Sequence, residues 1–245
     1  MTGELGKKAV GSRSVLLACG CIALARLVQF ASLWLKAGSM PTWDKVFVEF
    51  SNVYAGIFLA APCLILALHP LNELIAWDAY IVRCASRKAA LAQYVRLVVA
   101  TAFVCALWMA AITVVAVLVT CDSADALGYV VLVALESAAM QILFCIAGAC
   151  LYLMGFVASG SGAIASIGVV LYAGVDMIVA GIPVVSQWFP ATGWATVQIS
   201  QPLEVLPLLM RGVLPALVIV LAISGAQIAY QGRDFLGKAD AHHGS

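Results

Sequence analysis

Charge is the scarcest property of this 245-residue chain. Only 10% of its residues are Asp, Glu, Lys or Arg, whereas 64% are hydrophobic and the mean hydropathy is +1.06. A water-soluble domain of this length needs far more charged groups to cover its surface. The composition therefore excludes an ordinary soluble fold and predicts a protein whose solvent is the lipid bilayer.

Motifs for catalysis and for nucleotide binding are also missing. The sequence has no Gly-x-x-x-x-Gly-Lys-Ser/Thr loop, no His-Glu-x-x-His pair and only 3 His, so it indicates neither a nucleotide hydrolase nor an intramembrane metalloprotease. The 8 Cys show no zinc-finger spacing. We expect no metal, no cofactor bound by this chain and no enzymatic activity. The formal net charge of +1 argues against a nucleic-acid partner.

Six long apolar stretches account for most of the sequence. A helix crosses the roughly 30 Å hydrocarbon core in about 20 residues. The stretches lie at about 14–36, 52–69, 97–120, 129–157, 163–183 and 207–230. The sequence lacks the alternation of short strands that is typical of a membrane barrel. We therefore predict an all-α membrane protein with six transmembrane helices in a single domain, 1–245.

Basic residues are distributed unevenly among the polar joints between these stretches. Most of them lie in the N-terminal segment 1–13, in the joint 70–96 and in the C-terminal tail. The remaining joints hold Lys36 and Lys45, with Arg211 near the edge of the sixth stretch. By the positive-inside rule, this distribution predicts that the N- and C-termini are both cytoplasmic.

The joint 70–96 is the only sizeable segment predicted on the cytoplasmic side. Residues 71–83 carry apolar side chains at helical spacing, which predicts a short amphipathic helix at the membrane surface. Ser86 suits the N-cap of a helix that leads into the third stretch. The residues leave two interpretations open: a solvated loop anchored to lipid headgroups, or a docking element for a cytoplasmic partner.

The order of residues in this joint resembles that of a known family. An acidic residue after the second stretch, then Tyr80-Ile-Val-Arg83-x-x-Ser86-Arg87-Lys88, then a helix into the third stretch, is similar to ABC-2-type permeases. These are the membrane subunits of bacterial ATP-driven exporters. The resemblance extends to the whole layout, in which 1–13 is an interfacial N-terminal element and 70–96 is the coupling segment.

The resemblance implies a multi-pass permease of the bacterial plasma membrane that forms a translocation path. Its partners would be a second permease copy, as a homodimer or related heterodimer, membrane lipids, and a cytoplasmic ABC ATPase subunit that hydrolyses the ATP. The residues implied to couple the permease to the ATPase are Glu73, Asp78, Arg83, Ser86 and Arg87.

The joint 184–206 is rich in large aromatic residues, including Trp188, Phe189 and Trp194, and has Glu204 as its one charge. An aromatic belt at the membrane interface would account for them. The resemblance implies instead short re-entrant helices at the outer end of the translocation path, with the three aromatic residues as an outer gate.

Three ionisable residues interrupt apolar stretches: Arg26, Glu136 and Asp176. Each would cost roughly 2.5–3.5 kcal/mol by insertion scales if it faced lipid at a helix centre. Arg26 could form an ion pair with Asp176 or Glu136, or the three could line a substrate path. A secondary transporter or channel that works without an ATPase would also use such residues, and it remains the alternative function.

Overall fold

The computed structural model describes residues 13–52, 54–75, 86–122, 126–179, 182 and 205–232. Over these residues the chain is all-helical, without a strand, which confirms the all-α part of the predicted fold class. The helices in chain order are α1 (Arg13–Ala37), α2 (Trp43–Phe50), α3 (Gly56–Leu68), α4 (Leu71–Ile75), α5 (Arg87–Val119), α6 (Leu127–Ser159), α7 (Gly162–Val179) and α8 (Val205–Gly232).

Four of the described helices are long and apolar enough to cross a membrane: α1, α5, α6 and the Gly212–Gly232 part of α8. Helix α3 and the Gly162–Ile178 part of α7 are apolar but shorter. The outward surface of the bundle is also apolar, with Leu35, Phe58 and Ile228 largely exposed. Since water would not tolerate so large an apolar surface, the chain is a membrane-embedded helical bundle.

Helix α6 lies at the centre of the bundle and packs against α5, α7, α8 and α3. Small residues allow these close approaches. A Cβ atom on Gly155 of α6 would lie 3.0 Å from the Ala165 Cα atom of α7, and one on Gly148 would lie 3.1 Å from Leu64 of α3. The glycines therefore position α3 and α7 directly on the central helix.

Helices α1 and α5 run in the same direction. Near one end of their interface, the Cys19 carbonyl accepts a hydrogen bond of 3.0 Å from Trp108 Nε1. Further along both helices, Phe30 and Val119 line the same groove. Residue numbers therefore rise together along the interface, and the chain between the two helices must reverse its direction.

Helices α6 and α8 also run in the same direction. A Cβ on Gly212 would lie 3.9 Å from Leu143, and one on Gly225 would lie 2.8 Å from the Met154 sulfur. Between them, α7 turns back along α6. The turn begins at Gly160, whose φ of 72° is the left-handed conformation that glycine adopts at a helix C-terminus.

Helix α2 occupies the joint between the first two apolar stretches and was not predicted. It buries Val46, Phe47 and Phe50 in a cluster with Val117 of α5 and Val130 of α6. The six apolar helices α1, α3, α5, α6, α7 and α8 follow the predicted apolar stretches closely, except that α5 begins ten residues earlier than the predicted 97, at Arg87. The amphipathic helix predicted over 71–83 is represented by α4, and residues 76–83 lie outside the described part.

Helix α3 begins with a π-helical turn, Gly56–Ala60, before its α-helical part. The Ala61 N–H donates to the Gly56 carbonyl, five residues back. Pro62 follows directly and has no N–H for the regular ladder, so the shift of the backbone bonds occurs where the sequence already weakens them. Ile57 in this turn approaches Gly174 of α7.

Candidate functional site in the membrane interior

Arg26 lies inside the bundle on α1, with 1% of its surface exposed. Its Nη1 donates a hydrogen bond of 3.0 Å to Gln29 Oε1, one turn along the same helix. Its guanidinium carbon lies 4.7 Å from the centre of the Phe50 ring, a favourable cation–π distance. Helix α2, which ends at Phe50, therefore supplies the aromatic face against this cation.

The other edge of the Arg26 guanidinium is unsatisfied. Nε and Nη2 are buried and make no hydrogen bond to any described residue. A guanidinium remains charged and carries five N–H donors, so leaving two of its nitrogens without acceptors in a low-dielectric interior is costly. The described contacts of Arg26 are with Gln29 and Phe50, and the Glu49 carboxylate interacts with its charge. The predicted ion pair with Glu136 or Asp176 is not among these interactions.

The two acidic residues are also buried. Glu136 on α6 is 7% exposed and Asp176 on α7 is 1% exposed. Beside Glu136, the Ser137 hydroxyl accepts a hydrogen bond of 3.1 Å from Gln141 Nε2, and the Ser51 hydroxyl lies 3.4 Å from that of Ser137. The residue after Phe50 therefore joins the polar side chains of α6.

The antiparallel packing of α6 and α7 brings Asp176 to the same level. Tyr172 of α7 stacks on Phe144 of α6 with ring centres 5.1 Å apart. Asp176 lies one turn after Tyr172 in α7, and Gln141 lies one turn before Phe144 in α6, so both lie on the same side of the stacked rings. We name this set of buried side chains the polar layer: Arg26, Ser51, Glu136, Ser137, Gln141 and Asp176.

Two grooves flank α1 at the polar layer. The apolar groove, of about 410 Å³, lies between α1, α2 and α5 and includes Arg26 in its lining. The polar groove, of about 630 Å³, lies between α1 and the α2–α3 region, and Gln29, Glu49 and Asn52 line it. The Arg26–Gln29 hydrogen bond therefore connects the two grooves through α1.

The start of the segment 70–96 is bonded to the helical bundle. Asn72 Nδ2 donates a hydrogen bond of 2.8 Å to the Tyr152 hydroxyl of α6 and lies 3.4 Å from His69 Nδ1. A Cβ on Gly162, the first residue of α7, would lie 2.7 Å from the same Asn72 nitrogen. Asn72 thus contacts both α6 and α7, which the sequence analysis did not predict.

Further along the segment 70–96, the start of α5 is bonded to α8. Ser86 caps α5 as predicted, since its hydroxyl accepts a hydrogen bond of 3.1 Å from the Ala89 N–H. Arg87 Nη1 donates to the Gln231 carbonyl at 3.2 Å. Two turns further along α5, the Tyr94 ring meets the ring of Tyr230 in α8 edge to face, with the ring centres 6.3 Å apart.

Several of the predicted functional residues lie outside the part of the chain that the structure describes. Glu73 is exposed on α4, whereas the predicted coupling residues Asp78 and Arg83 lie outside the described residues. The same holds for the predicted outer gate, Trp188, Phe189 and Trp194, and for most of the segment 1–13. Within the described ranges, no group of three or more His, Cys, Asp or Glu side chains could hold a metal ion.

Comparison of the chain with protein-family models, with curated proteins and with solved structures found no match. The function must therefore be argued from the bundle, its polar layer and the contacts of the coupling segment.

Proposed function

We propose that this chain is the permease subunit of an ABC-2-type exporter in a bacterial plasma membrane. Two permease copies would form the translocation path and bind cytoplasmic ATPase subunits that hydrolyse the ATP. The observation that carries the proposal is the attachment of the segment 70–96 to the rest of the bundle at two points, through Asn72 near its start and through Arg87 at the first residue of α5. A force applied to this segment would reach α6, α7 and α8 directly.

Six membrane crossings are part of this proposal. The parallel pairs α1 with α5 and α6 with α8 each require a return pass between them. Helix α3 supplies the first return and α7 the second, which makes six passes of alternating direction and places both chain ends on one side. The excess of Lys and Arg in 1–13, in 70–96 and after α8 assigns that side to the cytoplasm.

The transmission of movement follows from the contacts. ATPase closure would displace the segment 70–96, and Asn72 would transfer this displacement to Tyr152 and to the start of α7. Arg87 and Tyr94 would transfer it to the end of α8. The π-helical turn at the start of α3 lies next to α7 and interrupts the regular α-helical hydrogen bonds. At this turn α3 would bend when the segment 70–96 is displaced.

A secondary transporter or channel is the second candidate, and the polar layer favours it. Arg26, Glu136 and Asp176 lie in apolar helices, where ionisable groups usually mark a path for ions, protons or substrate. Such a carrier would need no ATPase. Transport by the purified chain alone in sealed vesicles would support this candidate and exclude the exporter.

Charge reversal in the coupling segment tests the exporter. The chain is purified in mild detergent from its native membranes, and Mg-ATP hydrolysis in the eluate is measured. Arg83→Glu combined with Arg87→Glu should reduce the co-purifying ATPase activity at least tenfold, about 1.4 kcal/mol in binding free energy. Lys36→Glu combined with Lys45→Glu reverses the same number of charges at exposed positions of α1 and α2, and should leave the activity unchanged.

Arg87→Glu alone would also break the bond to Gln231, so Arg83→Glu is measured separately. Undiminished ATPase activity in the double variant would contradict the coupling assignment.

A further inference from the structure

The polar groove between α1 and the α2–α3 region opens toward the lipid. Leu24 and Val28 of α1 and Phe58 of α3 line it and are each at least 60% exposed on the surface of the bundle. Polar side chains share the lining, among them Gln29 of α1 and Glu49 of α2. A groove of about 630 Å³ has the volume of a small-molecule site, and its exposed rim allows a ligand to enter from the bilayer.

Glu49 is the one ionised side chain among the described residues that line this groove. It is partly exposed, so its surface remains accessible. The carboxylate makes no hydrogen bond and no ion pair with any other residue in the described part of the chain. A carboxylate can only accept hydrogen bonds and carries a negative charge, so the groove is complementary to a cation.

The charge of Arg26 does not occupy this position. It interacts electrostatically with Glu49, but the guanidinium bonds to Gln29 and lies over the Phe50 ring, and Arg26 lines the apolar groove instead. Electrostatic attraction falls with distance. A cation in direct contact with the carboxylate would therefore interact with Glu49 more strongly than Arg26 does.

Tyr54 and Phe58 add two aromatic rings to the lining of the polar groove. Their ring centres are 6.4 Å apart and their planes are inclined by 36°. Both side chains are more than half exposed, so the protein does not cover them. Aromatic faces attract cations within about 6 Å and are used to bind ammonium groups that carry apolar substituents.

We propose that the polar groove binds a lipophilic organic cation, that is, a positive centre that carries apolar substituents. The positive centre contacts the Glu49 carboxylate. The substituents pack on Tyr54, on Phe58 and on the apolar residues of α1. This inference concerns binding alone and does not depend on the exporter proposal.

The test uses the purified full-length chain in nonionic detergent and radiolabelled tetraphenylphosphonium, measured by equilibrium binding. Triphenylphosphine oxide has the same aromatic groups without the net charge and serves as the matched competitor. We expect saturable binding of tetraphenylphosphonium. The uncharged oxide should displace it at least tenfold less well than unlabelled tetraphenylphosphonium does.

Glu49→Gln should weaken the binding of tetraphenylphosphonium at least tenfold. Asp44→Asn removes the same charge from α2 at a position that does not line the groove and should leave the affinity unchanged. If Glu49→Gln does not remain monodisperse, Phe58→Leu takes its place. Because Phe58 is largely exposed, this change leaves the packed core intact, and loss of the ring should weaken binding at least threefold.

Cys21 reports whether the ligand lies in the groove, because it lines the groove and is exposed. Saturating tetraphenylphosphonium should slow its alkylation by N-ethylmaleimide at least threefold, as measured by mass spectrometry of the Cys21 peptide. Cys121 is partly exposed and does not line the groove, so its alkylation rate should stay the same.

Binding that does not saturate would overturn the proposal. So would an affinity that survives Glu49→Gln, equal displacement by the uncharged oxide, or alkylation of Cys21 that the ligand does not slow. The assay involves no ATPase, so its failure would leave the exporter proposal intact, and loss of the ATPase complex would not affect this assay.

Discussion

Asn72 connects the segment 70–96 directly to the helical bundle. Its amide nitrogen bonds to Tyr152 and lies against the first residue of α7, Gly162. The space at Gly162 is fully used, because a Cβ there would be 2.7 Å from this nitrogen. Packing, rather than backbone conformation, therefore favours glycine at this position.

Gly162→Ala should displace the Asn72 amide and break its bond to Tyr152. We expect a loss of about 1 kcal/mol in the free energy of unfolding, the usual net contribution of one hydrogen bond. Gly168→Ala, in the same helix but with no atom within 4 Å of the new Cβ, should stabilise by up to about 1 kcal/mol. Thermal unfolding in detergent measures both, and equal shifts for the two variants would contradict the role of Asn72.

The sequence allows some of these residues to be identified and conceals others. Arg26, Glu136 and Asp176 are recognisable because a charge inside an apolar stretch is expensive, and all three are buried. Ser137 and Gln141 are recognisable as hydrogen-bonding groups because they lie in the same apolar stretch as Glu136. Ser51 gives no such signal, since an uncharged polar side chain outside the long apolar helices is common. The grouping of these residues depends on which helices become neighbours, and that is a property of tertiary packing.

At the level of elements, α2 shows what hydropathy misses. It is only 8 residues long and contains Asp44, Lys45 and Glu49, so it falls below any length expected for a span. Its buried residues nevertheless recur at helical spacing, at Val46, Phe47 and Phe50. The pattern was present in the sequence, but the charges made the segment look like an ordinary joint.

Phe47 tests whether α2 is an integral part of the bundle. Its side chain is 1% exposed among residues of α5 and α6. Phe47→Ala should lower the free energy of unfolding by about 3–5 kcal/mol, because it leaves a cavity in a packed cluster. Val48→Ala changes the exposed side of the same helix and should stay within about 0.5 kcal/mol. Chemical unfolding followed by circular dichroism gives both values, and a small effect at Phe47 would show that α2 is only loosely attached.

For the whole molecule, composition alone indicates a membrane protein, whereas the number of crossings needs the direction of each helix. Helices α3 and α7 are too short to qualify as spans by length. Their proposed role as return passes depends on contacts between residues far apart in sequence, such as Cys19 with Trp108 and Met154 with Gly225. Such pairings arise from packing across the bundle and leave no local pattern in the sequence.

The six-crossing arrangement predicts which side of the membrane each end of α3 occupies. Asp44 precedes α3 and Glu73, which is exposed, follows it. With α3 as a return pass, Asp44→Cys should react with a membrane-impermeant maleimide in intact cells. Glu73→Cys should react only after the cells are permeabilised. The unmodified chain gives the background from its 8 native Cys. Labelling of both positions in intact cells would place both ends of α3 outside, which the parallel course of α1 and α5 could not accommodate.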